Sequence, residues 1–238
     1  MKTTKKALSL LLSLCLLLTA ALCFTACGET EQPVTDPVYI TIASGDLKLA
    51  HHAVTLRDAD EDGKTTINDA LILAHDAAYE GGAAAGYASA DTEYGKSITK
   101  LWGTDNGSGY GYYVNNAGAM SLNDEIKVGD SVQAFVYTTA DFTDTFCYFD
   151  REAATVSKGD SLTLTLSAAG YDASWNPITV PVAGATILIN GKDAGVKTNE
   201  QGQFTLTMGE KSKKDAFVIS ATSDSATLVP PVCLVTVE

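Results

Sequence analysis

SLTLTLSA, residues 161 to 168, alternates apolar and polar side chains at every step. Successive side chains on a strand point to opposite faces, so a period of two fits a half-buried strand and not an amphipathic helix. The same beat returns in ATILIN (185–190), QFTLTM (203–208), AFVISAT (216–222) and VCLVTV (232–237). Asn190-Gly191 is a strong hairpin signal, and Asn199 to Gly202 reads as a second turn. Short strands at regular spacing, without a convincing helix, predict an all-β sandwich over 153–238.

The preceding stretch, 38–150, mixes periods and predicts an α+β module. VYITIA (38–43) and LAHHAVTLR (49–57) are strand-like. Ile67, Leu71, Ala74 and Ala78 recur at three- and four-residue spacing, which predicts an amphipathic helix over 66–79. The glycine- and alanine-rich segment 80–95 reads as a loop, and GTDNGSGYG (103–111) as turn chemistry. YYVNN (112–116) and SVQAFVYTT (131–139) are the next strands.

Between the second strand and the helix lies DADEDGKTTIND, residues 58–69. Two carboxylates about 5 Å apart repel by roughly 1 kcal/mol even in water. A divalent cation turns that repulsion into shared attraction. On a twelve-residue calcium-loop spacing, Asp58, Asp60 and Asp62 fall at positions 1, 3 and 5, with Gly63 at the sharp turn. Lys64 offers its carbonyl at 7, Thr66 stands at 9 and Asp69 closes the loop at 12. The metal-free alternative is a capping box, in which Thr66 and Asp69 satisfy the helix N-terminus and the acids favour its dipole. Capping accounts for Thr66 and Asp69 but not for Asp58, Asp60, Asp62 and Gly63 together. The loop resembles those of dockerin modules, which implies a structural Ca²⁺ held by Asp58, Asp60, Asp62, Lys64, Thr66 and Asp69. Dockerins carry two such loops, and this chain has one, preceded by a strand.

The amino terminus reads as an export signal over 1–26: a basic MKTTKK, an apolar run and small residues before a cysteine. Phe24-Thr25-Ala26-Cys27 resembles the lipobox of bacterial lipoproteins, with phenylalanine where leucine is usual. That resemblance implies lipidation of Cys27, a tether over 27–37 and a location on the outer face of the cytoplasmic membrane or at the cell surface. A single membrane-spanning helix is the alternative for the same apolar run. Loss of Lys2, Lys5 and Lys6 with the leader takes the formal charge from −13 to −16. So acidic an exported chain is a poor partner for nucleic acid and suits calcium or a basic partner. Cys147 and Cys233 sit in apolar strand-like runs and read as small buried hydrophobes, a disulfide being the alternative.

Signals for catalysis are thin. His51 and His52 alternate on a strand and face opposite ways. His75-Asp76 are neighbours on a helix, which do not face each other, so the pair reads as solvated. No P-loop, dinucleotide or nucleophile-elbow pattern occurs. The aromatics around the glycine-rich segments are either core or a ligand face, with Trp102, Tyr110, Tyr112 and Tyr113 the candidates for the latter.

GYYVNN, the turn Ile126-Lys-Val-Gly-Asp130 and SVQAFVYT resemble the final hairpin of transcobalamin carboxy-terminal-like domains. This implies a β-grasp-type fold for 38–150 and, more weakly, a corrinoid-capture role. Val182 to Ile187, Asn190-Gly191 and Thr198 to Phe204 resemble bacterial Ig-like or carboxypeptidase-regulatory-like sandwiches, which serve mostly as stalks. The expected protein is therefore a non-enzymatic, calcium-stabilised, lipid-anchored binding protein for a small molecule or a surface macromolecule. An adhesion or envelope-scaffold protein is the alternative.

Overall fold

The anchor of the first module is helix α1 (Ile67–Ala78), and its start is set chemically. Thr66 has extended backbone, its hydroxyl accepts from Asp69 N–H, and Asp69 returns the bond to Thr66 N–H. This capping box satisfies two of the N–H groups that a helix start leaves open. In a computed structural model, residues 34–238 are described apart from 106, 108, 175 and 210–215. The export signal and Cys27 lie outside the described residues.

Before the helix come β1 (Pro37–Ser44) and β2 (Asp46–Thr55). After it come a short helix α2 (Gly82–Gly86), β3 (Ala88–Thr92), β4 (Gly95–Lys100), β5 (Tyr110–Val114), β6 (Ala117–Gly118) and β7 (Ser131–Val136). Five of these strands form a mixed sheet in the order β2-β1-β7-β5-β6, with β1 and β7 parallel at its centre. β3 and β4 make a separate two-stranded ribbon. The segment 80–95, expected as a loop, thus holds α2 and β3. Its strand character comes from the ladder with β4, not from its own glycine- and alanine-rich sequence.

Alternation sorts the sheet's two faces. Ile40, Ile42, Val132 and Ala134 join Ile67, Leu71 and Ala74 of α1 in one buried cluster. Full burial contributes about 1.5–3 kcal/mol for each of the large side chains among them. The opposite face carries Ala43 and Phe135, which pack with Phe146 and Val229 from the carboxy-terminal part. The sheet centre is therefore covered on both sides. Gly111 makes room for this: a Cβ there would stand 2.2 Å from the Phe135 ring.

The carboxy-terminal part is a β-sandwich. One sheet runs β11 (Pro177–Pro181), β10 (Ser161–Tyr171), β8 (Thr145–Phe149), β16 (Leu228–Val229), with β14 (Gln203–Thr207) also paired to β10. The other runs β13 (Lys192–Lys197), β12 (Thr186–Ile189), β15 (Ala216–Thr222), β17 (Cys233–Val237), β9 (Ala153–Val156). Leu162, Leu164 and Leu166 of the first meet Ile187, Ile219 and Val235 of the second in a shared core. Asn190-Gly191 does turn the β12–β13 hairpin. Cys147 and Cys233 are buried free thiols, each pushed up to about 12 by burial.

Several boundaries differ from expectation: β2 spans Asp46–Thr55, not 49–57, and β5 Tyr110–Val114, not 112–116. β7 ends at Val136, not at 139, because Thr138 and Thr139 turn to donate to the Asp144 carboxylate. β8 falls within 38–150 yet pairs with β10 and β16 of the sandwich. The chain thus changes sheets near 144, ahead of the expected junction.

Candidate metal centre

The acidic loop folds back on the first turn of α1. Asp69 is fully buried, and its Oδ1 accepts from Ala59 N–H at 2.7 Å and Asp60 N–H at 3.2 Å. Its Oδ2 accepts from the Thr66 N–H and the Thr66 hydroxyl, both at 2.8 Å. Four donors fill about the four lone-pair sites of a carboxylate. Asp69 thus lends charge and ties the loop to the helix at once, and the metal and capping readings meet in one side chain.

Asp58 organises the turn. Its Oδ1 accepts from Asp62 N–H at 3.2 Å and its Oδ2 from Gly63 N–H at 2.8 Å. Gly63 adopts φ +89°, a conformation that suits glycine. Asp60 Oδ2 accepts from Asn68 Nδ2 at 2.8 Å and from the Lys96 ammonium at 3.1 Å. Asp60 Oδ1 is buried and has no hydrogen-bond partner among the described residues. Burial works against the Asp60 charge, but the Lys96 and Asn68 bonds and the Lys96 charge outweigh it and hold the carboxyl below its ordinary range.

Carboxylate oxygens of Asp58, Asp60 and Asp69 lie within 4.8 Å of one another. Among the described residues, the six expected ligands divide. Asp58, Asp60 and Asp69 converge. Asp62 is outside that group, and its Oδ1 accepts from Lys64 N–H at 3.0 Å. The Lys64 side chain pairs with Glu125 at 3.1 Å, and the Thr66 hydroxyl is committed to the cap. The residues fit a hard divalent cation at one point above all: a buried anionic oxygen, Asp60 Oδ1, with two further carboxylates close by. The two oxygens of Asp58 each hold one donor only, which leaves each an open lone pair.

The aromatics do not form one face. Trp102 packs beside His75 and Tyr79, ring centroids 5.2 Å away in both cases. The single hydrogen of the Tyr110 hydroxyl is shared between the carbonyls of Thr99 at 2.7 Å and Thr104 at 3.0 Å. Tyr110 and Tyr112 lie against the helix-side core. Tyr113 is on the other face of the sheet, stacked on Phe146 with centroids 3.6 Å apart.

His75 corrects the solvated reading, since it is fully buried. Its Nδ1–H donates to the Leu71 carbonyl at 2.6 Å, and its Nε2 accepts from Trp102 N–H at 3.1 Å. One tautomer of a neutral imidazole serves both. Burial lowers its pKa against the Leu71 bond and the Asp76 charge. The signal was in the spacing: His75 follows Leu71 by four residues and so shares its inward face. A junction cluster was also missed. Glu152 Oε2 accepts from His51 Nδ1 at 3.1 Å and from the Ser131 hydroxyl, and its Oε1 from Gln133 Nε2 at 2.5 Å.

No protein-family model and no curated protein matches the chain. Solved structures of the four amino-terminal Ig domains of Dscam1 are similar over part of it. Isoform 9.44, with zinc, is 15% identical, with a TM-score of 0.26, over 64% of this chain and 37% of that one. Isoform 4.44 is 10% identical, with a TM-score of 0.27, over 87% and 45%. The chain thus spans less than half the length of either. At these TM-scores the likeness carries no argument, and the sandwich rests on its own strand pairing and core.

Proposed function

We propose that the chain is a non-enzymatic, exported surface protein in which a Ca²⁺ ion locks the helix of a β-grasp-type module to its sheet, and that it acts as an adhesion or envelope-scaffold element. The observation that carries this reading is the approach of carboxylate oxygens of Asp58, Asp60 and Asp69 to within 4.8 Å of one another, together with a buried Asp60 Oδ1 that has no partner among the described residues. Calcium takes oxygen ligands in flexible geometry, and weak extracellular sites fill at 10⁻⁴–10⁻³ M, orders of magnitude above cytosolic levels. The ion would supply positive charge here and nothing else. The strand order β2-β1-β7-β5 with α1 packed on one face supports the β-grasp-type description.

Scaffolding is favoured over small-molecule capture because the aromatic candidates are spent internally. Trp102 and Tyr113 serve opposite faces of the sheet, and the Tyr110 hydroxyl is tied to backbone. His51 and His75 hold the junction and the Trp102 turn, which supports a non-catalytic role. Lipidation at Cys27 rests on the Phe24-Thr25-Ala26-Cys27 motif and places the acidic modules outside the cell.

Titration calorimetry of calcium into the chelator-treated mature protein tests the reading. One binding event is expected, lost in Asp60→Asn. Absence of heat in the unaltered protein, together with no terbium luminescence on substitution of that ion, overturns it.

A further inference from the structure

The second face of the first sheet, where the sandwich covers it, leaves a small cavity. Thr41, Asn116, Gln133, Phe146, Glu152 and Pro231 are among the residues lining it, and it has about 20 Å³ of room for a water-sized molecule. Thr41 and Gln133 are register partners on β1 and β7, and Tyr113 is the partner of Gln133 on β5. These side chains therefore share the face that meets the sandwich. Asn116 comes from the tight turn between β5 and β6, where Asn115 and Asn116 have φ 50° and 65°. That turn is fastened to the start of β7, with Asn115 Nδ2 donating to Asp130 Oδ1 and Ser131 N–H donating to Asn115 Oδ1, both at 2.9 Å.

The orientation of Gln133 is settled by its neighbours. Its Nε2 donates to Glu152 Oε1 at 2.5 Å and to Ser131 Oγ at 3.1 Å, so the other end of the carboxamide is the oxygen. Gln133 Oε1 is buried and, among the described residues, has no partner. Asn116 Oδ1 is buried without a partner as well. Leaving two buried acceptors unpaired is costly, and folded proteins rarely do so. Both belong to residues of one cavity wall. A cavity holds a water once it offers about 10–15 Å³ and two or more polar partners; this one has about 20 Å³ and is lined by both Asn116 and Gln133.

We propose that this cavity is a built site for one water molecule, which donates one O–H to Asn116 Oδ1 and the other to Gln133 Oε1. Thr41 Oγ1 accepts from His51 N–H at 3.1 Å, and its own hydrogen is suited to the water oxygen. A neutral donor fits better than an ion, because both orphan acceptors are neutral and the Glu152 carboxylate already receives three donors. The water completes the contact between the sheet and the sandwich and holds the β5–β6 turn in register with β7.

A high-resolution crystal structure of the mature protein tests this. The expected result is one ordered atom about 2.7–3.2 Å from both oxygens. An empty cavity, protein atoms filling it, or an atom with several oxygens at about 2.3–2.6 Å, the mark of a metal ion, overturns the proposal. In solution, magnetisation transfer from long-lived water to the Gln133 side-chain amide is expected in the unaltered protein. Asn116→Gly keeps the positive φ of the turn and removes one acceptor, so it should abolish that transfer. No transfer in the unaltered protein, or full transfer in the variant, contradicts the proposal.

Discussion

Lys96 reaches from β4 to Asp60 of the acidic loop, its Nζ 3.1 Å from Asp60 Oδ2, with both side chains about four-fifths buried. The protein thus places its own cation on one oxygen of Asp60 and leaves the other open. The separate ribbon β3–β4 becomes part of the loop's electrostatic support. Lys96→Met should lower stability by about 1–2 kcal/mol without calcium, between the values for exposed and fully buried pairs. The loss should shrink when calcium is added, because a divalent ion then supplies the missing charge. Chemical denaturation with and without chelator measures both.

The acid limb follows from the same contact. The folded pKa of Asp60 lies below its usual value, so the unfolded chain takes up the proton first. This contribution is complete above the unfolded pKa of about 3.9 and is lost as pH falls through the folded value. Lys96→Met should lessen that acid sensitivity, read as a flatter stability profile below about pH 4.

His75 acts in a higher window. Burial depresses its folded pKa below 6.5, so its contribution is full above the unfolded value and falls as pH drops through the folded one. Protonation also puts a hydrogen on Nε2, facing the Trp102 N–H. Trp102 emission should therefore change on acidification below the ordinary histidine pKa of about 6.5. His75→Gln, which does not titrate, should lose stability at neutral pH by about 1–3 kcal/mol and show a flatter profile below it.

Much of this architecture was legible in the residues. Thr66 and Asp69 mark the start of α1 because capping is local chemistry. The sandwich strands β10 and β14 announce themselves because one face is core and the other solvent. Where both faces are covered the alternation vanishes. TFCYF of β8 buries Phe146, Cys147 and Phe149, and no period-two pattern separates it from the preceding segment. β3 depends on its partner β4 for its strand state. The acidic loop was readable as a candidate cation site from spacing alone, but the separation of Asp62 from Asp58, Asp60 and Asp69 was not. Lys96 lies far along the chain, and no local pattern connects it to Asp60.

Gly111 sits beneath Phe135 with no space for a methyl group. Gly111→Ala should force the ring aside and disturb its packing with Phe146 across the junction. Overpacking of this kind costs about 1–3 kcal/mol. The urea midpoint should drop accordingly, and the near-ultraviolet signal of the Tyr113–Phe146 stack should weaken.

Glu152 gathers three donors from the first sheet, on His51, Ser131 and Gln133. Glu152→Ala strands them and should destabilise the protein by about 2–3 kcal/mol. Cleavage between residues 137 and 144 under limited proteolysis should accelerate. Glu152→Gln, which keeps one acceptor oxygen, should recover part of the loss.

The central claim is that a calcium ion clamps the acidic loop to the helix, and thermal unfolding of the mature protein in chelator and in excess calcium tests it most directly. At a hundred times the dissociation constant, binding adds about 2.7 kcal/mol, which raises the melting temperature of a chain this size by about 5–10 °C. That rise is expected for the unaltered protein and should vanish in Asp60→Asn. The same melting temperature in both buffers, or an undiminished rise in Asp60→Asn, would contradict the account.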